Sequence, residues 1–200
     1  MVNKKQLNHL YNDKKLSMME VARKLGVTHA TIYYWLKKYE IQRRSWQDSS
    51  YVKQNPNGDP FKIKSRLNNN EKGLLMCALM LYCGEGNRKN RHSTQIANLD
   101  HRILRVFIGF LRKICGVNKN KIGLYVQLYS KFNREEASKY WSRTLLIPKA
   151  RIDIYPHTDI RSKLDEQRSK FGIARIQVNN YKLKNWIEKR SDYYLEKFSQ

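Results

Sequence analysis

Glu85 stands between two glycines at the end of the most apolar stretch of the chain, Ala78-Leu79-Met80-Leu81-Tyr82-Cys83-Gly84-Glu85-Gly86. A carboxylate in that setting needs a partner, because a charge carried into apolar surroundings is costly unless it is paired or binds a metal ion. Other reactive constellations are poorly represented. His9, His29, His92, His101 and His157 form no HxxxH or HNH-like cluster. Asp13-x-Lys15 is the only acid-x-Lys triplet, and it falls in an N-terminal helical stretch rather than on a strand. No P-loop and no dinucleotide glycine pattern is present, since Gly84-Glu85-Gly86 lacks the spacing and the Lys-Ser/Thr ending. Cys77, Cys83 and Cys115 are odd in number and make no CxxC pair, which argues against a disulfide framework and a zinc knuckle.

The partner class follows from charge. The chain of 200 residues carries 40 Lys+Arg against 17 Asp+Glu, a formal net charge of +23. Positive charge is in excess in every successive fifty residues, so the basic surface belongs to the folded parts and not to a tail. A polyanion is the natural partner, and nucleic acid leads. An apolar fraction of 40% excludes a wholly disordered chain. Met1 to Lys15 is polar, with no apolar leader, and Gly73 to Gly84 is too short for a bilayer span of about 20 residues. The expectation is a cytoplasmic, reduced protein that is nucleoid-associated when bound to DNA, with no membrane partner and no small-molecule substrate.

The elements that would present these residues fall into three segments: 1–44, 45–70 and 71–200. In the first, Leu7, Leu10 and Tyr11 repeat at helical spacing. Ser17 and Glu20 make a capping box that opens a second helix, which Gly26 ends. Thr28 caps a third, with Ile32, Trp35 and Leu36 as its apolar stripe. Its outward residues are His29, Thr31, Tyr33, Tyr34 and Lys37. Residues 45–70 contain Asn55-Pro56-Asn57-Gly58-Asp59-Pro60 and read as a turn-rich basic linker.

In the third segment, an apolar helix runs over Lys72 to Gly84, capped by one of Asn68, Asn69 and Asn70. Gly73, Cys77 and Gly84 lie near one face with Ala78 beside it, which would let a second backbone come close. Strands are expected at 93–98, 121–129, 151–155 and 173–178, and helices from Asp100, from Asn133 and over 181–198. Alternation puts Lys121, Tyr125, Gln127, Tyr129, Arg151, Arg175 and Gln177 on the face away from the core. The fold class is therefore α+β: three N-terminal helices, then a domain with helices on one face of a mainly antiparallel sheet.

Two resemblances sharpen this. Met19 to Leu36 resembles the helix-turn-helix of resolvases, transposases and many bacterial regulators, whose second helix enters the major groove. The string 78–86 resembles the signature of LAGLIDADG homing endonucleases, with Glu85 on the final acidic position. That resemblance, extended over 71–198, implies a sheet that reads double-stranded DNA. It implies an acid that binds Mg2+ together with the scissile phosphate, the Gly84 carbonyl beside it. Only one such motif is present, so it implies a homodimer paired through the 73–84 helix, with Gly73, Cys77, Ala78 and Gly84 at the interface. Arg88, Lys89 and Arg91, just after the motif, would meet phosphates, and Lys170 or Lys89 would be the basic residue that assists the chemistry. The expected function is a Mg2+-dependent, site-specific DNA endonuclease. The alternatives are a non-catalytic regulator on a degenerate form of the same fold and an RNA-binding maturase-like role.

Overall fold

The computed structural model describes residues 2–156 and 170–199. His157 lies outside the described residues. The chain divides into two compact units, 1–59 and 60–200.

In the first unit α1 (Lys4–Asn8) is capped by the Asn3 side chain and widens into a looser turn over His9–Asp13. The capping box at α2 (Met18–Leu25) is complete: Ser17 Oγ accepts from Glu20 N at 3.2 Å, and Glu20 Oε2 accepts from Ser17 N at 2.7 Å. Gly26 ends the helix at φ 63°, a left-handed conformation that a side chain would strain. Thr28 caps α3 (His29–Lys38). Leu7, Tyr11, Val21, Ala22, Ile32 and Leu36 form the unit's own core. A further helix, α4 (Trp46–Gln54), starts at Ser45, whose Oγ accepts from Asp48 N at 3.0 Å.

Residues 45–70 are therefore not a linker. Their first part is α4. Further on, Phe61, Ile63 and Leu67 pack against the core of the second unit, where Lys62 N and Lys64 N donate to the carbonyls of Cys115 and Ile114 at 2.9 and 2.8 Å. The apolar members of this stretch alternate with its lysines, and burying them outweighs leaving the stretch as a solvated tether.

The second unit begins with α5 (Asn69–Glu85), where Asn68 and Glu71 form a capping box. Then follow β1 (Ser93–Asn98), α6 (His101–Lys113), β2 (Gly123–Leu128), α7 (Arg134–Leu145), β3 (Ile152–Pro156), β4 (Ile173–Asn179) and α8 (Tyr181–Phe198). The sheet order is β1-β4-β2-β3. β4 is antiparallel to β1 and β2, while β2 and β3 are parallel. The sheet is thus mixed. Adjacent parallel strands need a long crossover, and α7 is that crossover.

Alternation sorts the two faces. Ile96, Leu124, Val126, Ala174, Ile176 and Val178 join residues from α5, α6, α7 and α8 in one core. Three strand ends that carry expected site residues differ from expectation. Lys121 and Arg151 lie in short 3₁₀ turns, at Lys119–Lys121 and Lys149–Arg151, just before β2 and β3. Tyr129 lies just beyond β2.

Candidate functional site

The second unit carries two features of interest: the end of α5 and the outer face of the sheet. At the end of α5, Glu85 and Gly84 are exposed. Among the described residues the Glu85 carboxylate has no hydrogen bond and no ion pair, and the last turn of α5 contains no basic residue. It therefore sits at the negative end of a helix dipole without a compensating cation, an unfavourable place worth about 0.3–1 kcal/mol. A carboxylate so placed attracts cations. It is not at the end of a buried helix: Gly73, Cys77 and Gly84 face out with Met80, and a side chain added at Gly73 or Gly84 would meet open space.

Ala78 departs from the expected interface. It is fully buried, on the opposite side of α5 with Leu75, Leu79 and Tyr82. One step of 100° around the helix separates it from Cys77, and that step carries it into the core.

Beneath Glu85 the backbone is held rigidly. Gly86 N donates to Tyr82 O at 2.9 Å, and Asn87 N donates to Gln95 O at 3.0 Å. A Cβ on Gly86 would lie 2.2 Å from Tyr82 O, so only glycine fits. Lys184 of α8 is fully buried directly below. Its ammonium donates to the Tyr82 hydroxyl and, at 2.7 Å, to Asn87 O, and it pairs with Glu188 at 2.8 Å. Burial pushes the Tyr82 phenol above its ordinary pKa, and the Lys184 hydrogen bond partly opposes that. Lys184 is a residue that sequence reasoning missed. The available signal was its place on the stripe Leu183, Lys184, Ile187, Ser191, which α8 turns to the core.

On the outer sheet face the register sets Ala97, Arg175, Tyr125 and Asp153 in one row across four strands. Gln95, Gln177 and Gly123 make a second row, and Ile173, Gln127 and Tyr155 a third. The Arg175 guanidinium lies 5.0 Å from the centre of the Tyr125 ring, and Tyr125 stacks on Tyr155 at 6.3 Å. Arg175 Nε is buried without a hydrogen-bond partner among the described residues. Gln127 and Tyr155 are exposed, while Gln95 and Ser93 at the β1 side are covered. The open part of this face is the β4-β2-β3 side.

The remaining expected residues divide by whether their polar groups are already engaged. Arg151 is engaged: it donates to Lys119 O and Asn120 Oδ1 at 3.0 Å and to Ile122 O at 3.3 Å, closing the turn before β2. Arg88 is engaged by Asp192 of α8 at 2.6 Å, and that hydrogen bond holds its pKa above the ordinary guanidinium value. Lys170 lies 3.8 Å from Glu136 of α7 and 5.5 Å from the Phe171 ring centre, and its contacts among the described residues do not include Glu85. Neither Arg151 nor Lys170 is thereby presented to the site that sequence reasoning gave it. Lys89, Arg91 and Lys121 are exposed, and Gln177 donates to Asn179 at 2.7 Å.

In the first unit, His29, Tyr33, Tyr34 and Lys37 are exposed on α3. Thr31 is half-buried, its hydroxyl in a 2.9 Å hydrogen bond with Thr28 at the cap. Arg43 lies over Tyr33 at 4.9 Å and Lys38 over Tyr34 at 5.8 Å, so the helix presents aromatic rings already dressed with cations.

One chain supplies one free carboxylate and neighbouring carbonyls at Glu85, and among the described residues no three His, Cys, Asp or Glu side chains gather as a metal cage. Mg2+ is commonly held by one or two carboxylates with waters and substrate phosphates, so this donor set fits it only as a part completed from outside the chain. No helix among the described residues is long and apolar enough to cross a membrane. Compared with family models, curated proteins and solved structures, the chain matches none.

Proposed function

We propose that this protein binds double-stranded DNA at specific sites and cuts it as a homodimer with Mg2+. The observation that carries the reading is the unpaired, exposed Glu85 at the end of a helix whose open face holds Gly73, Cys77 and Met80. Small and apolar residues on an open helix face suit close approach of a second copy. Pairing two α5 helices would bring together two carboxylates, the number such a metal site takes with DNA phosphates. When bound, Mg2+ would activate water and stabilise the leaving oxygen. The chain's own part is to hold the backbone that carries Glu85 through Gly86, Asn87 and Lys184, leaving the carboxylate open.

Recognition rests on the outer sheet face. Arg175, braced by Tyr125, presents a guanidinium with little freedom left to lose, and Gln177, Gln127 and Tyr155 flank it. Arginine and glutamine are the side chains that read guanine and adenine edges in the major groove. Lys89, Arg91 and Lys121 supply phosphate contacts, and α3 acts as a second recognition element through His29, Tyr33, Tyr34 and Lys37.

A second reading, a regulator that binds without cutting, is favoured by one observation. Lys170 is turned to Glu136, and Lys184 is buried with three partners, so among the described residues neither lysine is offered to a phosphate at Glu85. A binding selection on randomised duplexes separates the two, run in Mg2+ and in EDTA with wild type and Glu85→Gln. Cut ends centred on a palindrome, seen only for wild type with Mg2+, support the nuclease. Intact enriched sites indifferent to Mg2+ and to Glu85 support the regulator.

A further inference from the structure

The first unit contains a groove of about 720 Å3 between the loop that enters α2 and the helix α4. That volume lies within the range of small-ligand sites, about 300–1,000 Å3. Lys14, Lys15, Arg23, Arg44 and Lys53 line it, with Glu20 as the one carboxylate, and Trp46 stands on its wall with 86% of its surface exposed. Glu20 is engaged in the capping box. Lys14, Lys15 and Lys53 make no ion pair among the described residues.

The groove is built in advance. Arg44 donates to Lys15 O at 2.9 Å and to Leu16 O, and its guanidinium lies 4.3 Å from the Tyr11 ring centre. It thereby fixes the entry to α4 against the loop on the other wall. Lys15 itself is held at φ 54°, where a glycine would be easier. A lysine kept at such a position puts its cation at the groove while the backbone is strained.

We propose that this groove binds a single-stranded nucleic acid, with phosphates on the lysines and an unpaired base stacked on Trp46. The chemistry selects that ligand. An excess of cations calls for a polyanion, and a large exposed ring calls for a flat partner. Paired bases in a duplex offer their edges, whereas an unpaired base offers its face. A lipid surface supplies anions as well, but it is flat, and these cations line a concavity. Neither Glu85 nor any residue of α3 lines the groove, so the proposal stands whether or not the protein cuts duplex DNA.

The test is titration of the full chain, read both by tryptophan fluorescence and by anisotropy of the dye-labelled ligand, with oligothymidylate of 16 nucleotides, a duplex of equal length and vesicles of anionic phospholipid. Trp46 is the tryptophan open to quenching, since Trp141 is fully buried and Trp35 and Trp186 are half-buried. The expected result is quenching by the oligothymidylate above all. Trp46→Ala should abolish the quenching and weaken binding about tenfold, with the melting temperature unchanged. Lys15→Gly should keep or raise stability, yet lower the salt slope by about 0.7. Lys113→Ala, at an exposed lysine outside the groove, should leave oligothymidylate binding as it is. The proposal is overturned if the oligothymidylate fails to quench, if Trp46→Ala binds it as wild type does, or if the duplex or the vesicles quench equally well.

Discussion

Two charges around the end of α5 are opposites in environment as well as in sign. Lys184 is fully buried and has a hydroxyl, a carbonyl and a carboxylate around it. Glu85 is exposed and has none of these. Tyr82 and Asn87, which bond Lys184, flank Glu85 in the chain. One charge is thus part of the structure, and the other is held up by that structure and left open. A protein that needs a carboxylate to meet an outside cation would be arranged this way. The buried charge fixes the backbone, and the exposed one keeps its lone pairs free.

Removing the buried charge should have the largest effect. Lys184→Met leaves Glu188 and the Tyr82 hydroxyl without their partner and should cost about 3 kcal/mol in urea unfolding. Adding Glu188→Gln should return most of that loss, because no unpaired ion then remains. If the single variant is as stable as wild type, Lys184 does not hold the turn. Gly86→Ala comes next, at about 2 kcal/mol, because its methyl would collide with the Tyr82 carbonyl and ring.

The sheet face offers a smaller effect that appears in binding and not in folding. Arg175→Ala should weaken specific duplex binding by about 1.5 kcal/mol, roughly tenfold, and relax selectivity at one base pair. Lys89→Ala should instead weaken all sequences alike and lower the salt slope by about 0.9. Equal behaviour of the two variants would remove the distinction between reading and positioning. Smallest is the effect of Glu85→Gln on stability: a gain of about 0.5 kcal/mol at low salt, since a negative charge leaves the negative end of a helix. A loss of stability on that change would mean that Glu85 has a structural partner.

Much of the second unit was legible because alternation along β2 and β4 and the caps at Asp100 and Asn133 are local signals. What escaped was non-local. The place of α7 follows from β2 pairing parallel to β3, a choice that no single strand reveals. Arg151 and Arg88 read as free cations because their partners Lys119 and Asp192 are 32 and 104 residues away. Lys184 was passed over because lysine is usually exposed, and its buried place depends on Tyr82, 102 residues before it. α4 escaped for a different reason. It buries only Tyr51, so its apolar rhythm is faint, although Ser45 and Asp48 did mark its start.

Cleavage of a selected duplex by wild type and by Glu85→Gln, at matched occupancy in Mg2+, decides whether the free carboxylate does chemistry. Both proteins should bind the site equally, and only wild type should cut both strands. Cutting by Glu85→Gln at the wild-type rate, or intact duplex with both proteins, would contradict that role.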